Sequence, residues 1–329
     1  MTATMTAWLC RAFATPFAIE QAEIAMPQPG PGEVRIRVKA AGISFGETLV
    51  LEGGYQKTPP LPYVPCSELS GVIDACGADV ATFRPGDAVA AWSVELAGGG
   101  LAEYCVMPEQ FVHSLPVGMS FADGAGFVMN YWTAFNALYR RAALQPGEVL
   151  VVHGATGGAG AAALDVGTAM GATVIATGSD DARLAMVAAD HRINHTATPL
   201  NEAILELTGG RGADVYFDPV GGDLFDQSLR AIAPGGRVLV VGFTSGTPAQ
   251  ARTGVILVKM IAVIGVEGRL AIERMGEQGW ADMAEMLRWA GEGRFHPHTN
   301  HVFPFDRAPE AFRFLRDRRH TGKCAVVMD

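Results

Sequence analysis

LQPGEVLVVHGATGGAG, residues 144–160, is the stretch whose reading decides the fold. Pro146 and Gly147 make a turn, and Val149 to Val152 is a short apolar run that predicts a buried strand. The glycine-rich loop His153 to Gly160 follows, and the Ala-rich run 161–170 predicts a helix. Glycines allow the tight turn and let backbone N–H groups approach a pyrophosphate, to which the helix N-terminus adds partial positive charge. The loop therefore predicts a dinucleotide site over Gly154, Ala155, Thr156, Gly157, Gly158, Ala159 and Gly160. The plainer alternative, an ordinary strand-to-helix turn, weakens once further strand–helix units follow.

Outward from the loop, the chain continues in that rhythm. ATVIATGS (172–179), HRINH (191–195), ADVYFDPVGG (213–222), GGRVLVVGFTSG (235–246) and the apolar run Val255 to Val266 are predicted strands. Helical stretches lie between them, which predicts a doubly wound parallel sheet. The loop lacks the GK[ST] of a P-loop. Gly154-xxx-Gly158-x-Gly160 also fits the spacing of short-chain dehydrogenases. Those need a YxxxK acid, and none of the six tyrosines has Lys four residues on. An NAD site places an acid at the tip of the second strand. Here the tip is Thr177-Gly178-Ser179, with Arg183 the nearest cation and Asp180 and Asp181 opposing it. The pattern favours NADPH.

Before the loop, VRIRVKAAGI (34–43), LSGVIDACG (69–77), FRPGDAVAAW (83–92) and AEYCVMP (102–108) are short strands parted by Gly and Pro, and Phe121 to Ala143 has helical spacing. After Glu267 come a helix (279–291), an amphipathic helix within 303–319 and a last strand, KCAVVM. The 329 residues suit two domains, and 49% apolar against 18% charged residues excludes a largely disordered chain. A net charge of −9 argues against nucleic acid and against a polybasic membrane anchor. The five cysteines form no CxxC, so a reducing compartment fits. With no secretory signal and no spanning run, a cytoplasmic protein is expected.

VRIRVKAAGISFGETLVLEGGY, LPYVPCSELSGVI, NYWTAFNAL, VLVVHGATGGAG, GADVYFDPVGG and TGKCAVVM together resemble the zinc-free, zeta-crystallin-like quinone oxidoreductases of the medium-chain dehydrogenase/reductase superfamily. The resemblance runs over nearly the full length. It implies a GroES-like β-rich substrate domain (1–123 and 268–329), a Rossmann cofactor domain (124–267) and a cleft between them. It also implies hydride transfer from NADPH (NADP) to a quinone or an α,β-unsaturated carbonyl. An enoyl-thioester reductase and a crystallin-like NADPH binder are the alternatives.

Zinc-dependent relatives carry Cys, His and Cys where this chain has Ser44, Ser67 and Asn130, so no metal is expected. Substrate would face Ser44, Glu47 and Tyr55, with the Tyr55 hydroxyl a donor to the enolate oxygen or merely a packing aromatic. Thr133 would lie near the nicotinamide, and Val220, Phe243, Thr244 and Ser245 near its ribose. His195 and Arg318 would lie near the adenosine phosphate. HPHTNH (296–301) places His296 and His298 on one face if it is a strand, a minor metal possibility. An uncovered edge at Val255 to Val266, with the resemblance, points to a homodimer.

Overall fold

The computed structural model describes residues 3–95 and 98–328. The chain divides into two units: Met1–Met129 with Pro297–Asp329 (unit 1), and Asn130–His296 (unit 2). Unit 1 begins with strands β1 (Thr4–Leu9), β2 (Glu20–Ala25), β3 (Glu33–Ile43), β4 (Glu68–Cys76), β5 (Ala88–Trp92), β6 (Tyr104–Pro108) and β7 (Val112–Ser114). Unit 2 carries β8 (Val149–Val152), β9 (Thr173–Gly178), β10 (His191–Asn194), β11 (Ala213–Asp218), β12 (Ile232–Val240) and β13 (Ala262–Gly265). The chain then returns to unit 1 as β14 (Thr299–Pro304) and β15 (Lys323–Val327).

Unit 1 holds the β1–β2 hairpin and a seven-stranded sheet ordered β14-β15-β3-β4-β5-β7, with β6 also on β3. Strand β3 shows why. Val34, Ile36 and Val38 are buried, while Arg35, Arg37 and Lys39 between them are not, the alternation of a sheet with one face on the core. Its last residues, Ala40 to Ile43, are all buried because β15 pairs antiparallel along them, Cys324 opposite Ile43. Ile43, Leu51, Phe312, Leu315 and Val326 share one apolar cluster, so residues from both ends of the chain complete a single core. Each fully buried side chain of this size contributes about 1.5–3 kcal/mol.

Unit 2 is a six-stranded sheet ordered β10-β9-β8-β11-β12-β13, with every neighbouring pair parallel. Leu150, Val151 and Val152 of β8 are fully buried, as a central strand covered on both faces requires. The order reverses between β8 and β11. In such sheets the ligand crevice lies beyond the carboxyl ends of the strands at that point.

The structure departs from the sequence reading at the unit boundaries and in two helical stretches. Helices Gly268–Met275 and Glu277–Gly291 belong to unit 2, so the chain re-enters unit 1 at Pro297 rather than 268. They are held there by Trp132 Nε1, which donates to Gly268 O at 2.7 Å, and by Arg140, which forms a two-toothed ion pair with Asp282 at 2.7 and 2.5 Å. The first crossing follows Met129 rather than residue 123. The helix expected over 121–143 is broken into Phe121–Gly124, Val128–Phe135 and a π-helical turn, Asn136–Arg141. At the break, within unit 1, the backbone is pressed against β3: a Cβ on Gly42 would lie 1.9 Å from Ala125 O. Val255 to Val266 is not one strand. It is a helix, Thr253–Lys259, ended by Met260 at φ 54°, and then β13. Lys259 Nζ donates to the carbonyls of Leu229, Arg230 and Ile232 at 3.0, 2.8 and 3.1 Å and fixes that helix end. A short apolar run does not distinguish strand from helix by periodicity.

Candidate functional site

The cofactor side is built on unit 2, where β8 runs into the glycine loop. His153 N donates to Phe217 O at 3.0 Å and Ala155 N to Thr177 O at 3.1 Å, so the loop is stitched to both neighbouring strands. Gly154 takes φ 56°, a left-handed conformation that glycine adopts freely. A Cβ on Gly160 would lie 2.3 Å from Gly154 O, so the first helical turn closes on the loop only with glycine there. Thr156, Gly157, Gly158 and Ala159 are partly exposed at the N-terminus of helix Gly158–Ala169. This cradle, nearly bare of side chains, fits a pyrophosphate.

Beyond β11 and β12 the loops are joined. Asp218 Oδ1 accepts from Val220 N and Gly221 N, both at 2.8 Å, while Thr244 N donates to Pro219 O and Ser245 N to Val220 O, at 3.0 and 3.1 Å. A Cβ on Gly154 would lie 3.3 Å from Val220 Cγ2. Val220, Phe243, Thr244, Ser245 and the glycine loop are thus gathered at one edge of the sheet. Thr133 is half-buried on helix Val128–Phe135, its Oγ1 beside Gly268.

At the β9 tip, His195 N donates to Gly178 O at 3.0 Å, which brings the end of β10 beside Gly178 and Ser179. Burial depresses the His195 pKa, so the ring is neutral near pH 7. Arg183 N donates to Asp180 Oδ1 at 2.9 Å, and its guanidinium lies 4.0 Å from Asp180, which would compete with a phosphate for it. Thr177 departs from expectation. It is fully buried, and its hydroxyl meets His153 Nδ1 at 2.9 Å, so it bears on a cofactor only through its backbone. Arg318, at φ 55°, lies in unit 1.

His153 itself escaped the sequence reading. Ser228 Oγ donates to Leu224 O at 2.8 Å and therefore accepts from His153 Nε2, 2.7 Å away, which leaves Nδ1 to accept from Thr177. Burial depresses the His153 pKa more than the nearby Asp218 raises it, and this neutral tautomer pins the loop from beneath. No spacing signal marks it, because its partners lie 24 and 75 residues away.

The residues expected to face substrate lie on unit 1. Ser44 caps the helix Phe45–Leu51, its Oγ accepting from Glu47 N at 3.2 Å. Tyr55 is half-buried with its ring over Gly46: a Cβ there would be 3.4 Å from Tyr55 Cε2 and 3.7 Å from Ser44 Oγ. Ser44 and Tyr55 therefore share a patch. Glu47, expected to face substrate, is instead buried at 3% exposure beneath it. Tyr63 OH donates to its two oxygens at 3.0 and 3.1 Å, and Ser67 N donates at 3.0 Å. Burial raises the Glu47 pKa against these donors, and burial with the Glu47 charge pushes the Tyr63 phenol up.

Next to this cluster, Lys323 Nζ lies 2.7 Å from Glu68 Oε2, with both side chains buried, and Glu68 Oε1 accepts from Met129 N at 3.0 Å. Ser44 and Ser67 offer hydroxyls, and Glu68 is already engaged by an ammonium. Among the described residues no group of three His, Cys, Asp or Glu is placed to hold a metal. The strand expected around His296 and His298 begins only at Thr299; His296 bonds to Asp165 in unit 2, and His301 Nε2 accepts from Thr321 N in unit 1. No helix of the described residues is long and apolar enough to cross a membrane.

Two family models match the chain: an alcohol dehydrogenase GroES-like domain over residues 30–117, and a zinc-binding dehydrogenase over residues 187–326. Quinone oxidoreductase-like protein 2 of Rattus norvegicus is 36% identical over 328 residues, 97% of this chain and 91% of that protein. The quinone oxidoreductase of Pseudomonas syringae pv. Tomato DC3000 superposes with a TM-score of 0.87 at 28% identity, covering 98% of this chain and 100% of the other. The CurK enoyl reductase superposes with a TM-score of 0.87 at 25% identity, covering 98% and 99%. The largely antiparallel GroES-like unit, the parallel Rossmann sheet with its glycine loop and this full-length similarity agree: the chain is an oxidoreductase with a nicotinamide cofactor and belongs to the quinone oxidoreductase branch of the medium-chain dehydrogenase/reductase superfamily.

Proposed function

We propose that the chain is an NADPH-dependent reductase that passes hydride to a quinone or an α,β-unsaturated carbonyl without a metal. The observation that carries this reading is the pair Ser44 and Ser67, which by the resemblance stand where zinc-dependent relatives carry Cys and His. An alcohol substrate needs a Lewis acid to hold its alkoxide. A conjugated acceptor does not, because charge arriving at the distant carbon delocalises onto oxygen. When bound, the nicotinamide supplies the hydride. The hydroxyls of Tyr55 and Ser44 donate to the oxygen that becomes anionic. The glycine loop holds the pyrophosphate. Val220 and Phe243 to Ser245 border the ribose beside the nicotinamide, with Thr133 near the ring. Ser179, Arg183, His195 and Arg318 receive the 2′-phosphate.

The similarity to an enoyl reductase supports a second reading, reduction of an enoyl thioester by the same chemistry. A panel of quinones, enones and an enoyl-CoA, each with NADPH and NADH, separates these outcomes by loss of nicotinamide absorbance. Turnover of quinone or enone with NADPH is expected. No turnover of any acceptor would leave a nucleotide-binding protein of the crystallin kind.

The protein is further proposed to be a cytoplasmic homodimer. Strand β13 ends its sheet, and beside it Leu257, Val258 and Met260 are 78%, 79% and 74% exposed. A second copy would cover both. Light scattering at micromolar concentration should give twice the chain mass, and Val258→Glu should give the monomer.

A further inference from the structure

The chain passes between the units twice, after Met129 and after His296. On unit 2, both passages are fastened to one helix, Gly158–Ala169, whose N-terminus opens the glycine loop. At the first passage, a Cβ on Gly158 would lie 3.2 Å from Asn130 Nδ2. Two helical turns on, along the same face, Asp165 Oδ2 accepts from Tyr131 OH at 2.6 Å. At the second passage the same oxygen accepts from His296 N at 2.5 Å, and Asp165 Oδ1 faces His296 Nδ1 at 3.3 Å. The last turn adds Ala169 O, which accepts from Arg294 Nη2 at 2.6 Å. Between the passages the rings of Tyr131 and Phe295 pack 5.1 Å apart. One carboxylate thus gathers donors from residues 131 and 296, at opposite ends of the unit.

We propose that Asp165 is a positioning residue that ties both ends of unit 2 to the cofactor helix, so that binding at the helix N-terminus is felt where the chain leaves the unit. The inference rests on the cofactor reading above. Asp165 lies two helical turns from the helix N-terminus and acts through Tyr131 and His296. A carboxylate suits the place because it accepts from three donors at once. An amide of the same shape has one accepting oxygen and sets an N–H against the remaining donor.

The experiment is hydrogen exchange with and without NADPH, on the unmodified protein and on Asp165→Asn. In the unmodified protein NADPH should slow exchange both in residues 154–160 and at residues 131–135 and 296. In Asp165→Asn the loop should still be protected, while the His296 amide exchanges about tenfold faster and no longer responds to NADPH. Turnover should fall about threefold or more while NADPH affinity stays within about twofold, a split that general loosening of the fold does not produce. Tyr131→Phe, which spares both His296 contacts, should lie between the two. Persistence of NADPH protection at His296 in Asp165→Asn overturns the proposal. So does a loss of affinity that keeps step with turnover. If NADPH protects the loop of the unmodified protein but not its passages, this inference fails alone. If it does not protect the loop, the cofactor reading fails and takes this inference with it.

Discussion

The glycine loop of unit 2 and the Glu47 cluster of unit 1 solve opposite problems. The loop works by removing side chains: bare backbone approaches a ligand, and only a Cβ in the wrong place spoils it. The cluster works by packing, with the Tyr63 and Lys323 side chains and the Ser67 backbone N–H enclosing two buried carboxylates. Backbone requirements are written in local sequence. Side-chain requirements are written across the fold, and the two regions should therefore fail differently when disturbed.

The largest effect is expected at Gly160. In Gly160→Ala the added Cβ meets backbone atoms at 2.3 and 2.8 Å, which cannot move aside cheaply. The loop must shift, and NADPH affinity should fall about a hundredfold, as small misplacements at such sites do. Gly157→Ala is the control. Its backbone is extended at φ −91°, and the nearest atom to its Cβ would be 3.4 Å away, an ordinary contact. Affinity there should stay within about threefold. Titration of nicotinamide fluorescence distinguishes them; equal losses would mean that the loop does not work through bare backbone.

The cluster should fail through stability instead. Lys323→Met strands the buried Glu68 charge and should cost about 3–5 kcal/mol, read as a lower denaturant midpoint. Adding Glu68→Gln removes that charge while keeping an oxygen for Met129 N, so most of the loss should return. If the double variant is no more stable than the single, the pair is not electrostatically coupled.

A smaller effect is expected where the two kinds of chemistry meet, at the β9 tip. Arg183→Ala should weaken NADPH about tenfold and NADH less than twofold, the share of one charged hydrogen bond to phosphate. Competition from Asp180 sets the upper limit. Equal weakening of both cofactors would remove Arg183 from the phosphate site.

Legibility in the sequence follows the same division. The parallel sheet and the strand–turn–helix at the glycine loop were legible, because apolar runs, glycines and strand–helix alternation are local signals. The passage near residue 296 was not, since the contacts that hold helices Gly268–Met275 and Glu277–Gly291 to unit 2 come from Trp132 and Arg140, more than a hundred residues earlier. Nor was Val255 to Val266, where Val255 and Ile256 pack inward while Leu257 and Val258 face out, a helical pattern too short to declare itself. Ser44 and Tyr55 were singled out only through the family resemblance, and the structure sets both beside Gly46. The burial of Glu47 was not legible, because Tyr63 and Ser67 close over it from 16 and 20 residues away.

The smallest effect sharpens the contrast most, because it separates charge from shape within the cluster. Burial raises the Glu47 pKa, with Tyr63 and Ser67 opposing it incompletely. The sign follows from linkage. Below the usual carboxylate range both folded and unfolded chains are protonated there, and Glu47 adds no pH dependence. As pH rises through that range the unfolded chain releases its proton first, so the unfolded state gains and stability falls. The fall ends once pH passes the raised folded pKa. Glu47→Gln lacks this response while keeping the shape: its oxygen accepts from Ser67 N, and its amide donates to the Tyr63 oxygen. Melting temperatures of the two proteins should agree at the acid end. The variant should then pull ahead as pH rises from the usual carboxylate range toward the raised folded pKa, and hold a constant lead above it. A lead in the opposite direction, with the unmodified protein gaining as pH rises, would mean that the donors hold Glu47 ionised, and that the floor of the substrate patch carries a fixed negative charge beneath Ser44 and Tyr55.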